Sequence, residues 1–420
     1  MGNISNAAAA SISSVGHPGM PHFLYIPFLF AIGACVGSFL NVVVYRLPRG
    51  MSLIGPPSHC PQCQTRLAWY DNVPVFGWML LRGKCRYCRK PISPRYPIVE
   101  AITGGLFVFY YVMFFILHIG PVGEMTWPIY GLYMMLISAL LAASLIDAEW
   151  FVIPAGIPWW TVAAGIIVHA LVDQPGSAGS LTQWSWAMAL CAGSAIGLAI
   201  SMALLQLRIL PLSFPTGDLL EVERAQLKEQ AKKAAEAGEQ GPDVPPEFTG
   251  AEVRREIRKE MLFLMPPLVL GALAMLLYLH TPAVRQMWYA AARIDWLNSG
   301  VGALLGGMVG AFVVWLTRVL GSYALGKEAM GLGDVHLMFG IGAVLGGSAA
   351  TIAFFLAPFA AIAVGLYQLI AHSRRQLPFG PYLSLAAGFV MLFYTPIAAY
   401  LQPGLQAVID LIRQMMLPGA

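Results

Sequence analysis

Four cysteines in two closely spaced pairs are the first residues of this sequence whose types and spacing indicate chemistry. The pairs are Cys60-Pro-Gln-Cys63 and Cys85-Arg-Tyr-Cys88, with 21 residues between Cys63 and Cys85. Four thiolates on two tight turns suit the tetrahedral coordination of Zn²⁺, and a site filled by four protein ligands is structural rather than catalytic. The alternative is a set of free or redox-active thiols, but two pairs rather than one favour a metal.

Two aspartates at the ends of apolar segments form the second set. Asp147 closes one such segment, and Asp334 follows two glycines in Gly331-Leu-Gly333-Asp334. Two carboxylates held close together share a proton, so that one acts as a base on water while the other acts as an acid toward a carbonyl. Gly331 and Gly333 would let backbone and a substrate strand approach Asp334. Each aspartate alone is more typical of a helix cap, and the combination favours aspartic proteolysis.

The composition predicts that these residues are positioned by membrane helices. Hydrophobic residues make up 58% of the 420 residues and charged residues 11%, with a net charge of +4. Soluble domains carry about 25% charged residues. These values exclude an ordinary soluble globule and a disordered chain, and six cysteines are too few for a secreted disulfide scaffold. We therefore expect an all-α polytopic membrane protein with a small cytosolic zinc-ribbon-like module.

Ten apolar segments approach the length of about 20 residues that a membrane-spanning helix requires. The eighth is short enough to be re-entrant. The predicted spans lie at 23–44, 101–118, 129–146, 155–172, 185–207, 262–279, 300–320, 335–346, 349–371 and 382–400. Arg46 and Arg49 follow the first span, so the positive-inside rule places the N-terminus outside and residues 45–98 in the cytoplasm. By this count both aspartates face the cytoplasmic boundary.

The chain divides into seven predicted regions. They are a polar N-terminal tail (1–22), the first transmembrane helix (23–44), the cytosolic four-cysteine module (45–98), membrane helices carrying Asp147 (99–172), a helical hairpin (173–297) with a charged cytosolic loop (208–261), membrane helices carrying the GLGD motif (298–400) and a C-terminal tail (401–420).

Charge is concentrated in two of these regions. The four-cysteine module holds nine basic residues and one acid, Asp71, and several aromatic residues surround its cysteines. Such a basic, aromatic module could bind nucleic acid, but beside a membrane we favour a small packed aromatic core with contacts to anionic lipid headgroups, and no nucleic acid. Residues 208–260 hold nine basic and eleven acidic residues, which is typical of an exposed helix with a linker.

Four ordered blocks of this sequence resemble the prepilin peptidases, also called type IV prepilin leader peptidases. They cover about 22–172 and 300–400 and are very specific in combination. The blocks are Gly37-Ser-Phe-Leu-Asn-Val-Val-Val-Tyr-Arg-Leu-Pro48; the CxxC pairs with Trp69, Asp71-Asn-Val-Pro74 and Tyr96-Pro97; Asp147 with Ile153-Pro154; and Lys327-Glu-Ala-Met-Gly-Leu-Gly-Asp334 with Pro378-Phe-Gly-Pro-Tyr382.

The resemblance implies a GxGD-type aspartic peptidase of the bacterial inner membrane with its active site facing the cytoplasm. Members of this family remove a short basic leader from prepilins or pseudopilins, after a glycine. Many also methylate the new N-terminus with S-adenosylmethionine. Asp147 and Asp334 match the catalytic pair of the family, and Cys60, Cys63, Cys85 and Cys88 match its cysteine ligands. The sequence assigns no residue to the methyl donor, and Glu100 is a weak candidate.

The chain departs from the family pattern in its length between the aspartates, which are 187 positions apart. The excess at about 173–297 resembles an inserted hairpin, giving ten spans where the family usually has eight. Three alternatives stay open: a leader peptidase without methyl transfer, a GxGD peptidase acting on other membrane proteins, and a transporter with a zinc-stapled cytosolic module.

Overall fold

A computed structural model of the chain describes residues 21–120, 125–172, 184–213, 249–372 and 378–416. Almost all of the predicted N-terminal tail and most of the charged loop, including its Ala/Glu/Lys-rich part, lie outside the described residues. Within the described ranges the structure is helical, and β-pairing is confined to two isolated bridges. The expected all-α class is confirmed for this part of the chain.

Twelve α-helices occur in the described residues. They are α1 His22–Arg46, α2 Phe76–Leu80, α3 Arg95–Tyr111, α4 Trp127–Trp150, α5 Gly156–Val172, α6 Ser185–Gln206, α7 Gly250–His280, α8 Pro282–Ala292, α9 Asp295–Leu325, α10 Leu332–Leu345, α11 Gly347–His372 and α12 Gly380–Met416.

Each of the ten predicted spans coincides with one helix. Seven described helices are long and apolar enough to cross a membrane: α1, α3, α4, α6, α7, α9 and the first part of α12. Three are shorter, namely α5, α10 and the apolar part of α11, Gly347–Ile362. At 1.5 Å per residue the 14 residues of α10 extend about 21 Å, less than a hydrocarbon core of about 30 Å. The chain is thus a membrane protein by its helices, and a count of ten spans stays a prediction.

The described residues fall into two compact units. The first comprises the chain up to Asn41 and residues 54–117. Its helices α1 and α3 pack closely, because a Cβ atom on Gly33 would lie 2.8 Å from the Gly104 Cα atom, and one on Gly37 would lie 2.7 Å from the Glu100 Cα atom. The four-cysteine module lies between these two helices in the sequence.

The second unit comprises residues 42–53 and the chain from His118 onward. Helix α10 is almost entirely buried, since eleven of its residues from Asp334 to Leu345 are shielded from solvent. Small residues of α9 allow this: a Cβ on Gly310 would lie 2.5 Å from the Met338 carbonyl oxygen, and Gly306 contacts the backbone of Gly342. Glycines four residues apart on α9 thus allow close helix packing at these two positions.

Helices α6 and α7 form a hairpin within the second unit. Gly193 and Gly197 of α6 lie against the backbone of Leu270 and Pro266, and the Ser201 hydroxyl donates a hydrogen bond of 2.7 Å to the Phe263 carbonyl oxygen.

Helix α7 differs from its predicted span by beginning twelve residues earlier, at Gly250. Thr249 caps it: its hydroxyl accepts from the Glu252 N–H, and the Glu252 carboxylate accepts from the Thr249 N–H at 2.7 Å. This reciprocal cap starts the helix within the predicted loop. The last residues of that loop are consequently helical, and Val253, Ile257 and Glu260 are buried.

The C-terminal helix also extends further than the predicted span 382–400. Helix α12 continues to Met416, with one non-helical residue at Phe393. Its last residues cover most of the predicted C-terminal tail.

Candidate functional site

The four cysteines predicted to bind metal meet in the first unit. Their Sγ atoms all lie within 4.8 Å of one another, and the Sγ atoms of Cys60 and Cys88 are 3.8 Å apart. Zn–S bonds of about 2.3 Å in a tetrahedron place sulfur atoms about 3.8 Å apart. Cys60 and Cys85 are buried, whereas their partners Cys63 and Cys88 are half-buried. The donor set and its spacing therefore fit one tetrahedral metal ion.

Both cysteine pairs are built by the same backbone turn. The Cys60 N–H donates to the Thr65 carbonyl oxygen at 3.0 Å, and the Cys85 N–H donates to the Lys90 carbonyl oxygen at 2.9 Å. Four residues after the first cysteine of each pair, Gln64 (φ 57°) and Arg89 (φ 60°) adopt the left-handed conformation. The repeated turn presents two thiols from each pair to a common point.

Neighbouring polar groups support the cluster. Asp71, whose side chain is 1% exposed, accepts a hydrogen bond of 2.6 Å from Arg86 Nε, and Tyr87 donates to its other oxygen. Hydrogen bonding by the side chain and backbone of Thr65 lowers the pKa of the Cys63 thiol to about 6. A backbone hydrogen bond at Lys90 lowers the pKa of Cys88, but burial and hydrogen bonds with the other three cysteines outweigh it and raise that pKa to about 11. The four thiols therefore differ in how readily each becomes the thiolate that binds metal.

The aromatic residues around the cysteines do not form one small core. Trp78 is half-buried, packs on Gly83 and donates from Nε1 to the Ile92 carbonyl oxygen at 3.0 Å. Trp69 and Phe76, in contrast, are exposed. The module is thus held mainly by its turns and the cysteine cluster.

Asp147 lies in the second unit, in the last turn of α4. It is buried, and its Oδ2 atom accepts a hydrogen bond of 2.9 Å from the backbone N–H of Gly380. Gly380 begins α12, so the carboxylate lies against the positive end of that helix dipole. Phe151, in the left-handed conformation at φ 54°, ends α4 and donates from its N–H to the Asp147 carbonyl oxygen.

Asp334 lies in the first turn of α10, in the same unit. It is buried like Asp147, with 8% of its surface exposed compared with 6%. Its carboxylate also lies at a helix N-terminus, where N–H groups favour negative charge. Both aspartates are thus buried near the N-terminus of a helix, Asp147 beside α12 and Asp334 within α10.

Ile153 and Gly380 connect the two aspartates. A Cβ atom on Gly333, next to Asp334, would lie 3.0 Å from the Ile153 Cβ atom. A Cβ atom on Gly380 would lie 3.2 Å from the Ile153 Cδ1 atom and 2.7 Å from Asp147 Oδ2. The ends of α4, α10 and α12 therefore meet around Ile153, and the two predicted catalytic residues belong to this one group.

The two glycines of the GLGD motif differ in their surroundings. Gly333 is buried and tightly packed on Ile153, so its lack of a side chain serves internal packing. A Cβ atom on Gly331 would lie 3.6 Å from Asp334 Oδ2, an ordinary contact. Gly331 consequently leaves free space beside the carboxylate rather than relieving a clash.

Asp147 and Asp334 are both buried, and their neighbours Gly380 and Gly333 both pack on Ile153. Two carboxylates that share one proton are suited to activate water and to protonate a carbonyl oxygen. Glu100, the weak candidate for cofactor binding, lies in the first unit, where it accepts a hydrogen bond of 2.7 Å from the Val75 N–H. This hydrogen bond within the first unit accounts for the burial of the Glu100 carboxylate.

Sequence reasoning did not assign a role to Gly380 or Ile153. Both residues lie in blocks that carry the family resemblance, Ile153-Pro154 and Pro378-Phe-Gly-Pro-Tyr382. Their position in those blocks is the one sequence feature that marks them as candidate site residues. Their contacts with the aspartates become visible only in the packing of α4, α10 and α12.

A scan against protein-family models matches residues 31–114 to the "Bacterial Peptidase A24 N-terminal domain". The match includes both cysteine pairs and lies almost entirely within the first unit.

Several curated proteins are similar to this chain. A "Prepilin leader peptidase/N-methyltransferase" of Klebsiella pneumoniae is 37% identical over 187 residues, 41% of this chain and 78% of that protein. A protein of the same name from Myxococcus xanthus (strain DK1622) is 51% identical over 94 residues, 22% of this chain and 28% of that protein. A "Type 4 prepilin-like proteins leader peptide-processing enzyme" of Escherichia coli O78:H11 is 36% identical over 146 residues, 30% of this chain and 49% of that protein.

The chain thus spans between about a quarter and over three quarters of the length of these relatives. No solved structure gave a significant match.

Proposed function

The chain belongs to the prepilin leader peptidase/N-methyltransferase family, and from that premise we propose that it is a membrane aspartic endopeptidase. Its substrates in this proposal are type IV prepilins or pseudopilins, from which it removes the leader peptide and then methylates the new N-terminus. The observation that carries the proposal is the group formed by Asp147, Asp334, Ile153 and Gly380, in which two buried carboxylates lie at helix N-termini.

Hydrolysis in this proposal uses the two carboxylates as a pair. The ionised aspartate takes a proton from water while the water oxygen attacks the scissile carbonyl carbon, and the protonated aspartate donates to the carbonyl oxygen. Collapse of the tetrahedral intermediate breaks the C–N bond: the aspartate that took a proton from water gives it to the leaving amine, and the other aspartate recovers its proton from a hydroxyl group of the intermediate. The Gly380 N–H, donating to Asp147 Oδ2, holds that carboxylate in one orientation throughout.

The proposed location is the bacterial inner membrane, with the active site at the cytoplasmic boundary. The substrate's apolar stem lies in the bilayer, and its basic leader stays in the cytoplasm because positive charge is retained on that side. Arg46, the last residue of α1, and Arg49, which follows it, support this orientation. The partners are prepilin-like proteins and membrane lipid, and nucleic acid is not among them.

The four-cysteine cluster is proposed to hold structural Zn²⁺. Cys60, Cys63, Cys85 and Cys88 would supply all four ligands, which leaves no position for a substrate or water. The metal would stabilise a module whose aromatic residues are largely exposed. For the methyl transfer, S-adenosylmethionine is the proposed donor, and no residue is assigned to it.

Mass spectrometry of a co-expressed pilin-like substrate tests the proposal. Wild-type enzyme is expected to yield a substrate without its leader, carrying the mass of one additional methyl group on the new N-terminus. Asp334→Asn is expected to leave the leader in place, while the membrane fraction contains the same amount of enzyme. A product that has lost its leader but carries no added methyl mass would support the peptidase activity and refute the methyltransferase activity. An intact leader with wild type, across several pilin-like substrates, would refute the peptidase.

A further inference from the structure

A buried ionic network lies where α7, α9 and the segment before the GLGD motif meet. Its centre is Arg318, whose side chain is 2% exposed, and its two acidic members are Glu260 and Glu328, at 5% and 21% exposure. None of these three residues belongs to the group around Asp147 and Asp334 described above. All three lie in the second unit.

Arg318 is bonded on both sides of its guanidinium group. Toward α7, Nη2 donates to Glu260 Oε1 at 3.0 Å and Nε donates to Oε2 at 3.2 Å. Toward the GLGD motif, Nη1 donates to Glu328 Oε1 at 2.6 Å and to the carbonyl oxygen of Met330. The guanidinium therefore joins a carboxylate of the predicted insertion to the backbone four residues before Asp334.

The segment 326–331 depends on α9 for its position. Gly326, at φ 66°, ends α9 in the left-handed conformation, and the Ala329 N–H donates to the Ser322 hydroxyl at 2.9 Å. Together with the two bonds from Arg318, these contacts fix the segment that leads into the first turn of α10. Asp334 is the third residue of that helix, so the path of the segment sets where its carboxylate lies.

Glu260 is itself held firmly. Trp315 of α9 donates from Nε1 to Glu260 Oε2 at 3.0 Å. One turn earlier on α7, Ile257 packs with Val253 against Val319, and all three are buried. The beginning of α7 also reaches the end of α9, where a Cβ atom on Gly326 would lie 3.2 Å from the Gly250 Cα atom. Helix α7 thus runs antiparallel to the last turns of α9 and presents Glu260 to Arg318 from a packed surface.

We infer that Glu260 is a positioning residue for Asp334, acting through Arg318 and the segment 326–331. A buried guanidinium that loses one partner carries uncompensated charge, and it must rearrange or draw in water. Arg318 would then no longer hold Glu328 and the Met330 carbonyl group in one geometry. On this inference, which rests on the proposed peptidase, the hairpin 173–297 supplies part of the support for the active site.

The test compares Glu260→Gln with Glu252→Gln, the same change two turns earlier on α7. Glu252 is exposed and its carboxylate accepts the Thr249 N–H at 2.7 Å in the cap of α7, a position that glutamine also fills, which makes it a suitable control. Two readouts are measured on purified enzyme: kcat and KM for leader removal from a pilin-like substrate, and amide hydrogen exchange of segment 326–331 by mass spectrometry.

Glu260→Gln is expected to lower kcat ten- to a hundredfold, to leave KM within threefold, and to speed exchange in 326–331. Glu252→Gln is expected to stay within twofold of wild type in all three. Glu328→Gln is expected to resemble Glu260→Gln, and the double variant is expected to lose less than the product of the two single losses, because both carboxylates act through Arg318.

The inference is wrong if Glu260→Gln shows the wild-type kcat and wild-type hydrogen exchange in 326–331. It is also wrong if the decreases in kcat of the two single variants multiply in the double variant. If Glu260→Gln does not accumulate as folded protein, Glu260→Asp replaces it. The shorter carboxylate is expected to lower kcat two- to tenfold and to speed exchange, and wild-type values for both would refute the inference. The exchange readout separates this outcome from failure of the proposed function, in which wild type removes no leader.

Discussion

The four cysteines of the first unit and the carboxylate group of the second are assembled over very different distances along the chain. Cys60 and Cys88, whose sulfur atoms are 3.8 Å apart, are separated by 28 positions. Asp147 and Gly380, which share a hydrogen bond, are separated by 233 positions. The cysteine cluster needs two copies of one backbone turn, whereas the carboxylate group needs three packed helices. We therefore expect loss of one site to leave the other intact.

The largest expected effect is on the carboxylate group. Asp147→Asn removes a group that must gain and lose a proton, so leader removal is expected to fall by about 10²- to 10⁴-fold. The zinc content of the purified protein is expected to stay unchanged, because the cysteines belong to the other unit. Both quantities are measured on the same preparation, by substrate mass spectrometry and elemental analysis.

Glu149→Gln serves as the control for this change. Glu149 is an exposed carboxylate two residues along the same helix, and its variant is expected to cleave at the wild-type rate. Equal losses in the two variants would show that Asp147 has no special role.

The second effect is on the cysteine cluster. Cys60→Ser combined with Cys63→Ser removes two of four ligands, so bound zinc is expected to fall by at least about tenfold. Leader removal is expected to persist, since neither carboxylate depends on these turns. Cys35→Ser, which changes a cysteine outside the cluster, is expected to leave bound zinc at the wild-type amount. Loss of cleavage as complete as in Asp147→Asn would show that the two sites are not independent.

The third effect concerns the contact between α12 and Asp147. In Gly380→Ala the new methyl group would lie 2.7 Å from Asp147 Oδ2, so the carboxylate must move. Overpacking typically costs about 1–3 kcal/mol, and a comparable loss of transition-state stabilisation corresponds to roughly a 5- to 150-fold decrease in kcat.

Gly131→Ala is the matched control for Gly380→Ala. Gly131 lies on α4, the helix that carries Asp147, and nothing lies within 4 Å of a Cβ atom placed there. Its replacement is expected to leave kcat unchanged and to raise the thermal midpoint slightly, because alanine favours helix. A wild-type kcat in Gly380→Ala would mean that the Asp147 carboxylate can move away from the new methyl group without loss of activity.

The smallest effects separate the two glycines of the motif. Gly333→Ala presses on Ile153 at 3.0 Å and is expected to lower kcat by about two- to fivefold, since a neighbouring side chain can yield a few tenths of an ångström. Gly331→Ala meets no protein atom closer than 3.6 Å. Its expected effect is a higher KM at unchanged kcat, because the methyl group occupies the space left for substrate. Steady-state kinetics of both variants test this: a higher KM in Gly333→Ala together with a lower kcat in Gly331→Ala would contradict the roles assigned to the two glycines.

The difference in sequence separation also explains what could be predicted. The CxxC pairs are local, and their spacing alone led to the cluster that the structure shows. The ten apolar segments led to ten helices, and the family resemblance is confirmed by the comparisons with known proteins. The roles of Asp147 and Asp334 stay predictions that the geometry supports.

Contacts between distant segments could not be derived in this way. Glu260 appears in the sequence as one of eleven acids in a charged region, with nothing to distinguish it from its solvated neighbours. Its partner Arg318 is 58 positions away, near the end of an apolar helix where an arginine is more typical of a topology anchor. Only the packing of α7 on α9 shows that the two are paired and buried.

The order of synthesis gives the Glu260–Arg318 pair a further consequence for membrane integration. Glu260 is translated 58 residues before Arg318, which is about 3–12 s at roughly 5–20 residues per second. The Glu260 carboxylate is therefore synthesised before α9 leaves the ribosome. A charged residue in a membrane helix is less costly when it is paired with an opposite charge, so Glu260 would favour insertion of the helix that carries Arg318. We therefore expect deletion of the hairpin, which leaves Arg318 without this carboxylate from the start, to impair biogenesis before any substrate is met.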